Sequence, residues 1–385
     1  MIDLSVRYNL RHLASSSPEP LNSSVVPLHS HKMFFRSIVA ASALLYTTAT
    51  AETACNNSPS LCSRAYNNIT QLGAHDSPFL RNKNTSFSTS GNHYYDTTTQ
   101  LDAGVRLLSA QVHKNDNGTG ADEWHLCHSS CDLLDAGTLE SWLSTIKTWM
   151  DNNTNDVVTV LIVNSDSASA SDIGSQFNSS GISEYAYTPP STSAPTTWPT
   201  LDNLIGNGTR LMTFVASLSQ ASTQYPFLMD EFTYVFENNY ENINPSNYSC
   251  TPSRPTGLST TSTGNRLFLM NHFLYENQLF GIQSPNDTYA NVTNAQTGYG
   301  SLGTSVSNCT SVYGKAPWAV LVDFFNVGPA IASVDAANGV SGSVTGRRSL
   351  STEALTEESE SGSARAQGSL LAVIVAVVVT VGLGM

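Results

Sequence analysis

Eight short apolar runs rich in β-branched residues, spread over residues 52–340 and separated by helical or loop-like stretches, predict an α/β fold: a (β/α)8 TIM-type barrel in a single domain. Two further observations point the same way. Several of the runs are apolar almost throughout, as strands buried on both faces must be. Run after run also ends in polar residues, the end at which a barrel of parallel strands builds its site. The strands are expected at residues 69–75, 105–113, 123–128, 157–164, 210–217, 233–238, 266–272 and 318–324. The clearest helix is residues 139–152, with Thr138 as N-cap and Leu139, Trp142, Leu143, Ile146, Trp149 and Met150 on one face, a stripe suited to packing on a sheet. The second half is loop-rich. Residues 188–200 and 242–263, dense in proline, serine and threonine, read as surface loops rather than as linkers between domains.

Composition removes several classes of function. Only 12% of the 385 residues are charged, and 30 acidic residues against 17 basic ones give a formal net charge of −13. A nucleic-acid binder needs a basic face to meet phosphates, so no nucleic-acid partner is expected. The apolar content of 40% excludes general disorder.

Both ends carry targeting patterns. Met33-Phe34-Phe35-Arg36, an apolar stretch to Thr48 and Ala49-Thr50-Ala51 form a basic start, an apolar core and a small-x-small cleavage site, so residues 33–51 are expected to be a secretion signal. Residues 1–32 are then a non-native or disordered extension. At the other end, residues 341–363 read as a Ser/Gly/Glu-rich stalk holding the attachment region, with small residues Ser361-Gly362-Ser363. Residues 364–385 read as the removed signal of a glycosylphosphatidylinositol (GPI) anchor. The expected location is the extracellular face of the plasma membrane or the cell surface, with a monomeric barrel held there by the anchor. Acceptor sequons at Asn68, Asn84, Asn117, Asn207, Asn286 and Asn308 agree with secretion. So do six cysteines, an even number allowing fifteen pairings; short loops favour Cys55–Cys62 and Cys127–Cys131, leaving Cys250–Cys309.

The chemistry-bearing residues stand at strand ends: His75-Asp76, Gln111 and His113, His128, Asn164, Asn271 and Asp323. Two histidines, each beside small polar residues, suit paired general acid–base work, since imidazoles titrate near neutrality. The order Gly73-Ala74-His75-Asp76-Ser77, Gln100-Leu101-Asp102-Ala103-Gly104-Val105-Arg106, Trp124-His125-Leu126-Cys127-His128 resembles the catalytic X region of phosphatidylinositol-specific phospholipase C, especially its secreted, metal-independent branch. The likeness is strongest over residues 66–166, with a further match at the last strand. It implies His75 as general base, His128 as general acid, Asp76 as the carboxylate assisting the acid and Asp323 as the one orienting the base. Gln111, His113, Asn164 and Asn271 are expected to touch substrate. His93, His125 and His272 are assigned to packing or the surface.

The chain departs from that pattern on the second strand. Where the metal-independent relatives carry an Asp and an Arg that stabilise phosphate charge, Ser109 and Gln111 stand here. The calcium- and magnesium-dependent branches place carboxylates there, and Ser109 and Gln111 are poor ligands for a hard cation, so no metal and no cofactor are expected. Arg106 falls on the opposite strand face by parity; His113, on the face of Gln111, is the better source of positive charge. Replacing Gln111 by Arg is then expected to raise activity. The resemblance thus implies a cell-surface phosphodiesterase acting on a phospholipid or glycolipid headgroup. The alternative is a catalytically impaired barrel that binds phospho-glycans or lipids at the cell surface.

Overall fold

The computed structural model describes residues 53–357 and 359, apart from 219–221, 279–281 and 343. The extension 1–32, the secretion signal 33–51, the attachment residues 361–363 and the terminal signal 364–385 lie outside the described residues.

The first half runs β1 (Gln71–Ala74), α1 (Thr97–Ala103), β2 (Leu107–Lys114), β3 (Trp124–Cys127), β4 (Asp135–Thr138), α2 (Leu139–Asn152), β5 (Val158–Asn164) and α3 (Ala170–Ser179). It continues through α4 (Leu201–Gly206), β6 (Leu211–Ala216), β7 (Leu228–Asp230), α5 (Glu231–Tyr234) and β8 (Val235–Glu237). The last part holds β9 (Leu267–Asn271), β10 (Tyr275–Asn277), β11 (Gln283–Pro285), α6 (Ala290–Thr293), α7 (Leu302–Tyr313), β12 (Ala319–Val322) and α8 (Ala330–Ala337). Eight strands pair in parallel in the order β7-β6-β5-β2-β1-β12-β9-β8. This is the expected α/β barrel architecture, with one difference: no ladder joins β7 to β8. The single turn α5, capped by the Asp230 carboxylate on Thr233 N, stands between them and leaves the ring open there.

The membership of the ring also differs from the expectation. The run at 123–128 becomes β3, which is antiparallel to β2 (Val112↔Leu126) and pairs with β4, outside the eight parallel strands. Its place is taken by β7, whose three residues are too short to show a periodic pattern. An antiparallel return strand and a buried parallel one share the same apolar composition; only pairing separates them.

Alternation along the strands sorts two cores. On β2, Leu108, Ala110 and Val112 face the helices, where they join Leu143, Ile146 and Met150 of α2. Leu107 faces inward with Leu161, Phe214, Leu269 and Leu321. The inner core is plugged by aromatic contacts, Tyr66 against Trp198 and Trp318 at 5.3 and 5.5 Å, with the Tyr66 hydroxyl 2.7 Å from Thr159 Oγ1. Helix α2 has the expected bounds and cap, and its Trp142 and Trp149 indoles donate to Thr97 Oγ1 and Asp102 Oδ1 of α1.

Residues 345–355 are bound to the barrel, which corrects the reading of 341–363 as a free stalk. Arg347 forks onto Asp335 of α8 at 2.6 and 2.8 Å, and Arg348 N donates to Asp102 O beside α1. Leu350 packs on the outer core, while Asn326 Nδ2 donates to Ser351 O and Glu353 O. A Ser/Gly-rich composition suggested flexibility; two arginines and one leucine in the right register are enough to fasten the segment.

All three disulfides, Cys55–Cys62, Cys127–Cys131 and Cys250–Cys309, form with the expected pairing. Of the sequon asparagines, Asn68, Asn84, Asn117, Asn207 and Asn308 are exposed and Asn286 is half-buried.

Candidate active site

Inward parity carries the site. The positions that alternate with the outer core on β1, β2, β8, β9 and β12 end, one step past the apolar layer, at His75, Gln111, Glu237, Asn271 and Asp323. These residues, apart from Asp323, line one cavity of about 240 Å³ at the C-terminal end of the strands, with Asp76, Ser109, Glu231, Arg254, Phe273 and Tyr275. Asp323 supports it from beside His75. Larger cavities of about 390, 560 and 640 Å³ exist elsewhere; the first holds Asp230 and Tyr234 as its ionisable groups, the second is an open surface hollow around His113 and Asp166, and the third holds none. Chemistry, not size, locates the site.

His75 Nδ1 lies 2.9 Å from Asp323 Oδ1, and the same oxygen accepts from Asn92 Nδ2 at 2.9 Å. The His75 ring stacks on Phe273 with centroids 3.7 Å apart and planes 3° from parallel. Its other nitrogen, Nε2, is 3.7 Å from Asp76 Oδ2. His128 Nε2 is also 3.7 Å from that oxygen, so one carboxylate stands between two imidazoles. His128 reaches this place by an indirect route. Strand β3 runs antiparallel to β2 and returns toward the mouth, and the edge of Phe79 braces the ring at a centroid distance of 5.3 Å. With its side chain only 6% exposed, His128 stands behind Asp76 rather than on the cavity wall.

Backbone strain marks the same three places. Asp76, Ser129 and Phe324 have φ of 51°, 59° and 45°, and none is a glycine. A bulky residue in the left-handed region costs about 1–3 kcal/mol and persists only where surroundings over-determine it. Here the strained residue follows His75, His128 and Asp323 in turn. Asn294 holds the third of these turns by donating its Nδ2 to Asp323 O, Phe324 O and Val327 O.

The two imidazoles differ electrically. Burial alone would lower the pKa of His75, but the Asp76 and Asp323 carboxylates outweigh it and raise it above 6.5. For His128 burial prevails over Asp76, and neighbouring His75 adds to it, so its pKa falls below 6.5. The two rings are thus shifted in opposite directions.

The remaining sequence-predicted residues divide. Gln111 joins the cluster, donating Nε2 to Asp76 Oδ2 at 2.9 Å and accepting from Ser129 N at 2.9 Å. Asn271 donates to Glu237 Oε2 at 3.1 Å on the opposite wall. His113 does not join: it lies beyond the mouth, 3.2 Å from Asp166, and lines a separate surface hollow with His125 and Asp135. Asn164 does not join either, because its parity is outward and its amide closes a loop on Ala168 N and O. Arg106 is tied into a buried pair with Asp156 at 2.7 Å, on the face expected of it. His93 is buried, with its Nε2 2.8 Å from His75 O, and His272 Nε2 lies 3.1 Å from Thr293 O; burial lowers both pKa values to about 4. Among the described residues, one group of His, Cys, Asp or Glu is compact enough to suggest a cation. It is Cys127, Cys131 and Asp135, and both of its sulfurs are in a disulfide.

A family model described as PI-PLC X matches residues 61–338, which spans the barrel and every residue of the cluster. The chain belongs to the PI-PLC X family. A PI-PLC X domain-containing protein 1 of Arthroderma benhamiae is 38% identical over 287 residues, covering 74% of this chain and 90% of that protein. An uncharacterized secreted protein of the same fungus is 39% identical over 284 residues, covering 73% of this chain and 62% of its own length. Among solved structures, the phosphatidylinositol-specific phospholipase C of Listeria monocytogenes aligns with a TM-score of 0.47 at 16% identity, covering 73% of this chain and 96% of that one. A Staphylococcus aureus phospholipase C of the same specificity aligns at 0.49 and 14%, covering 74% and 98%. Membership of this family supports a phospholipase-C-like phosphodiesterase function.

On the wall opposite the histidines, Asn271 and Glu237 end strands as their sequence pattern indicates, while Arg254 and Glu231 carry no motif that marks them. Arg254, in the loop after β8, donates Nε to Glu237 Oε2 at 2.9 Å and also binds it through Nη2, and its guanidinium lies over Tyr240 at 4.3 Å. Glu231, on α5, is 1% exposed; burial and the adjacent Glu237 push its pKa well above 4.5. Arg254 was read as part of a surface loop, and no local signal distinguishes it from its neighbours there.

Proposed function

We propose that this PI-PLC X protein is a metal-independent phosphodiesterase that cleaves the headgroup diester of a phospholipid or glycolipid. The observation that carries the reading is the shared carboxylate: two imidazoles flank a single Asp76 oxygen at 3.7 Å beside one cavity. A diester is cleaved by removing a proton from the nucleophile and supplying one to the leaving oxygen. His75 in its neutral form, its Nδ1 tied to Asp323, presents Nε2 to the cavity as base; His128 in its protonated form supplies the proton to the leaving oxygen by way of Asp76, which stands between it and the cavity. The arriving phosphate anion favours protonation of His128 and so offsets the downward pull of burial on its pKa. With a headgroup hydroxyl next to the diester oxygen, attack from within would release a cyclic phosphate and diacylglycerol; water attack would give the monoester directly. Glu237, Arg254, Asn271 and Glu231 offer both donors and acceptors, a wall suited to headgroup hydroxyls.

The same reading places the protein outside the cell. Residues 33–51 would be removed on secretion, the barrel would be a glycosylated monomer, and residues 364–385 would be exchanged for a GPI anchor. The secreted relative supports the extracellular part of this reading.

The test is turnover of vesicles containing phosphatidylinositol, or a glycosylated form of it, by the purified ectodomain, followed by phosphorus NMR. Release of a phosphorylated headgroup, lost in His75→Ala, is the expected result. A folded ectodomain that binds such vesicles and turns over none of the panel would favour the impaired, ligand-binding barrel instead.

A further inference from the structure

On the family pattern, Gln111 stands where a phosphate-binding cation is missing, and adding charge there should help. The geometry points the other way. Asp76 is held in an unfavourable backbone state, with φ of 51° and its N–H donating to Ser109 Oγ at 2.9 Å. Its carboxylate is 1% exposed, Oδ1 has no partner, and the Gln111 amide supplies the one hydrogen bond that Oδ2 receives among the described residues. The other end of the same amide accepts from Ser129 N, the residue after His128, at the strained corner of the turn that carries it. A single neutral side chain thus fastens three catalytic elements: the end of β1, the body of β2 and the turn after β3.

We propose that Gln111 is a positioning residue, which clamps Asp76 midway between His75 and His128 and ties the His128 turn to β2. This rests on the acid–base reading of the site. Neutrality is the point of the amide. It orients the carboxylate without cancelling its charge, so Asp76 remains the common counter-ion of both rings. A guanidinium at 111 would hold Asp76 as firmly but would pair with it, removing the field on which both imidazoles depend. The charge gained beside the phosphate would be offset by a carboxylate lost to the histidines.

Two substitutions separate these effects in the full ectodomain. Gln111→Met keeps the length and loses both hydrogen bonds; Gln111→Arg keeps a donor and adds charge. Steady-state kinetics on the cleaved diester would be read beside histidine-ring NMR titrations of the free protein. The other charged groups around the rings, Asp323 and Glu237 for His75 and Asp323 and Arg81 for His128, stay unchanged in both variants. Gln111→Met should lower kcat by about tenfold or more with KM within about twofold, and the His75 and His128 midpoints should move apart. Gln111→Arg should lower both midpoints by about one unit and also lower kcat. A rise in kcat in Gln111→Arg, or ring midpoints unmoved in both variants, would overturn the proposal. If arginine does not fit the fold, Gln111→Met decides the matter alone. If the wild type cleaves no diester, the enzyme reading fails, while the midpoints still decide whether the clamp exists.

Discussion

The two walls of the cavity are built in different ways. The wall carrying His75, Asp76, Gln111 and His128 rises from β1, β2 and β3, which pair in turn; alternation aims His75 and Gln111 inward, and left-handed turns at Asp76 and Ser129 set Asp76 and His128. The wall carrying Glu231, Glu237 and Arg254 rises where the ring is open. There β7 and β8 are three residues each and unpaired to each other, and the key cation comes from a loop. The first wall is rigid and suited to proton transfer, which tolerates little misplacement. The second is an ion pair beside a buried acid, and in the proposed function it is the side that meets the headgroup. In the proposed function, chemistry falls on the continuous part of the sheet and recognition at its gap.

Breaking each wall in turn should give different signatures. The largest effect belongs to the histidines: His75→Ala and His128→Ala should each lower kcat by about 10²–10⁴-fold, the range of positioned acids and bases, with little change in thermal stability. An equal loss of kcat from substitutions on the far wall would erase the distinction between them. On that wall, Arg254→Ala strands the Glu237 carboxylate, whose side chain is only 2% exposed. Removing one partner of a buried pair costs about 3–5 kcal/mol, and the half-exposed arginine places this one at the lower end. The expected kinetic outcome is a KM raised about tenfold with kcat nearly kept, measured beside a melting curve.

The packing histidines sharpen the comparison through pH. His93 and His272 titrate near 4 in the folded chain against 6.5 when unfolded. The unfolded state therefore binds more protons, and stability should fall as the pH drops from 6.5 toward 4. His75 works in the opposite sense: its raised pKa contributes stability below about 6.5 that is lost as the pH rises through its own midpoint. Urea unfolding across this range should show the acid loss, and His272→Phe should remove part of it. The smallest expected effect is that of a chelator. With Ser109 and Gln111 in place of carboxylates, EDTA should leave the rate unchanged, and a loss restored by calcium would overturn the metal-free reading.

Much of the catalytic wall was legible because its signals are local. His75 and Asp76 adjoin in the chain, Asp323 ends an apolar run, and strand parity sends residues 71, 73 and 75, like 319, 321 and 323, to the same face. Parity, followed further, would also have excluded Asn164, which alternates with the inward Val163. His113 passes the parity test and still fails, because β2 extends two residues past the mouth and Asp166 takes the ring. The length of a strand relative to its neighbours is a property of the assembled sheet.

The residues alone determined the class of fold, the disulfide pairing and helix α2 with its cap. Each follows from composition, short-range spacing or two-residue alternation, which a chain carries before it folds. Tertiary structure decided the rest. Whether an apolar run joins the parallel ring, as β7 does, or turns back against it, as β3 does, depends on which partner's backbone N–H and C=O groups it meets. Whether Arg254 faces water or a buried glutamate depends on a ladder that fails to close a few residues away. Pairings between distant segments are set by the requirement that buried polar groups find partners, and only the folded chain brings those partners within reach.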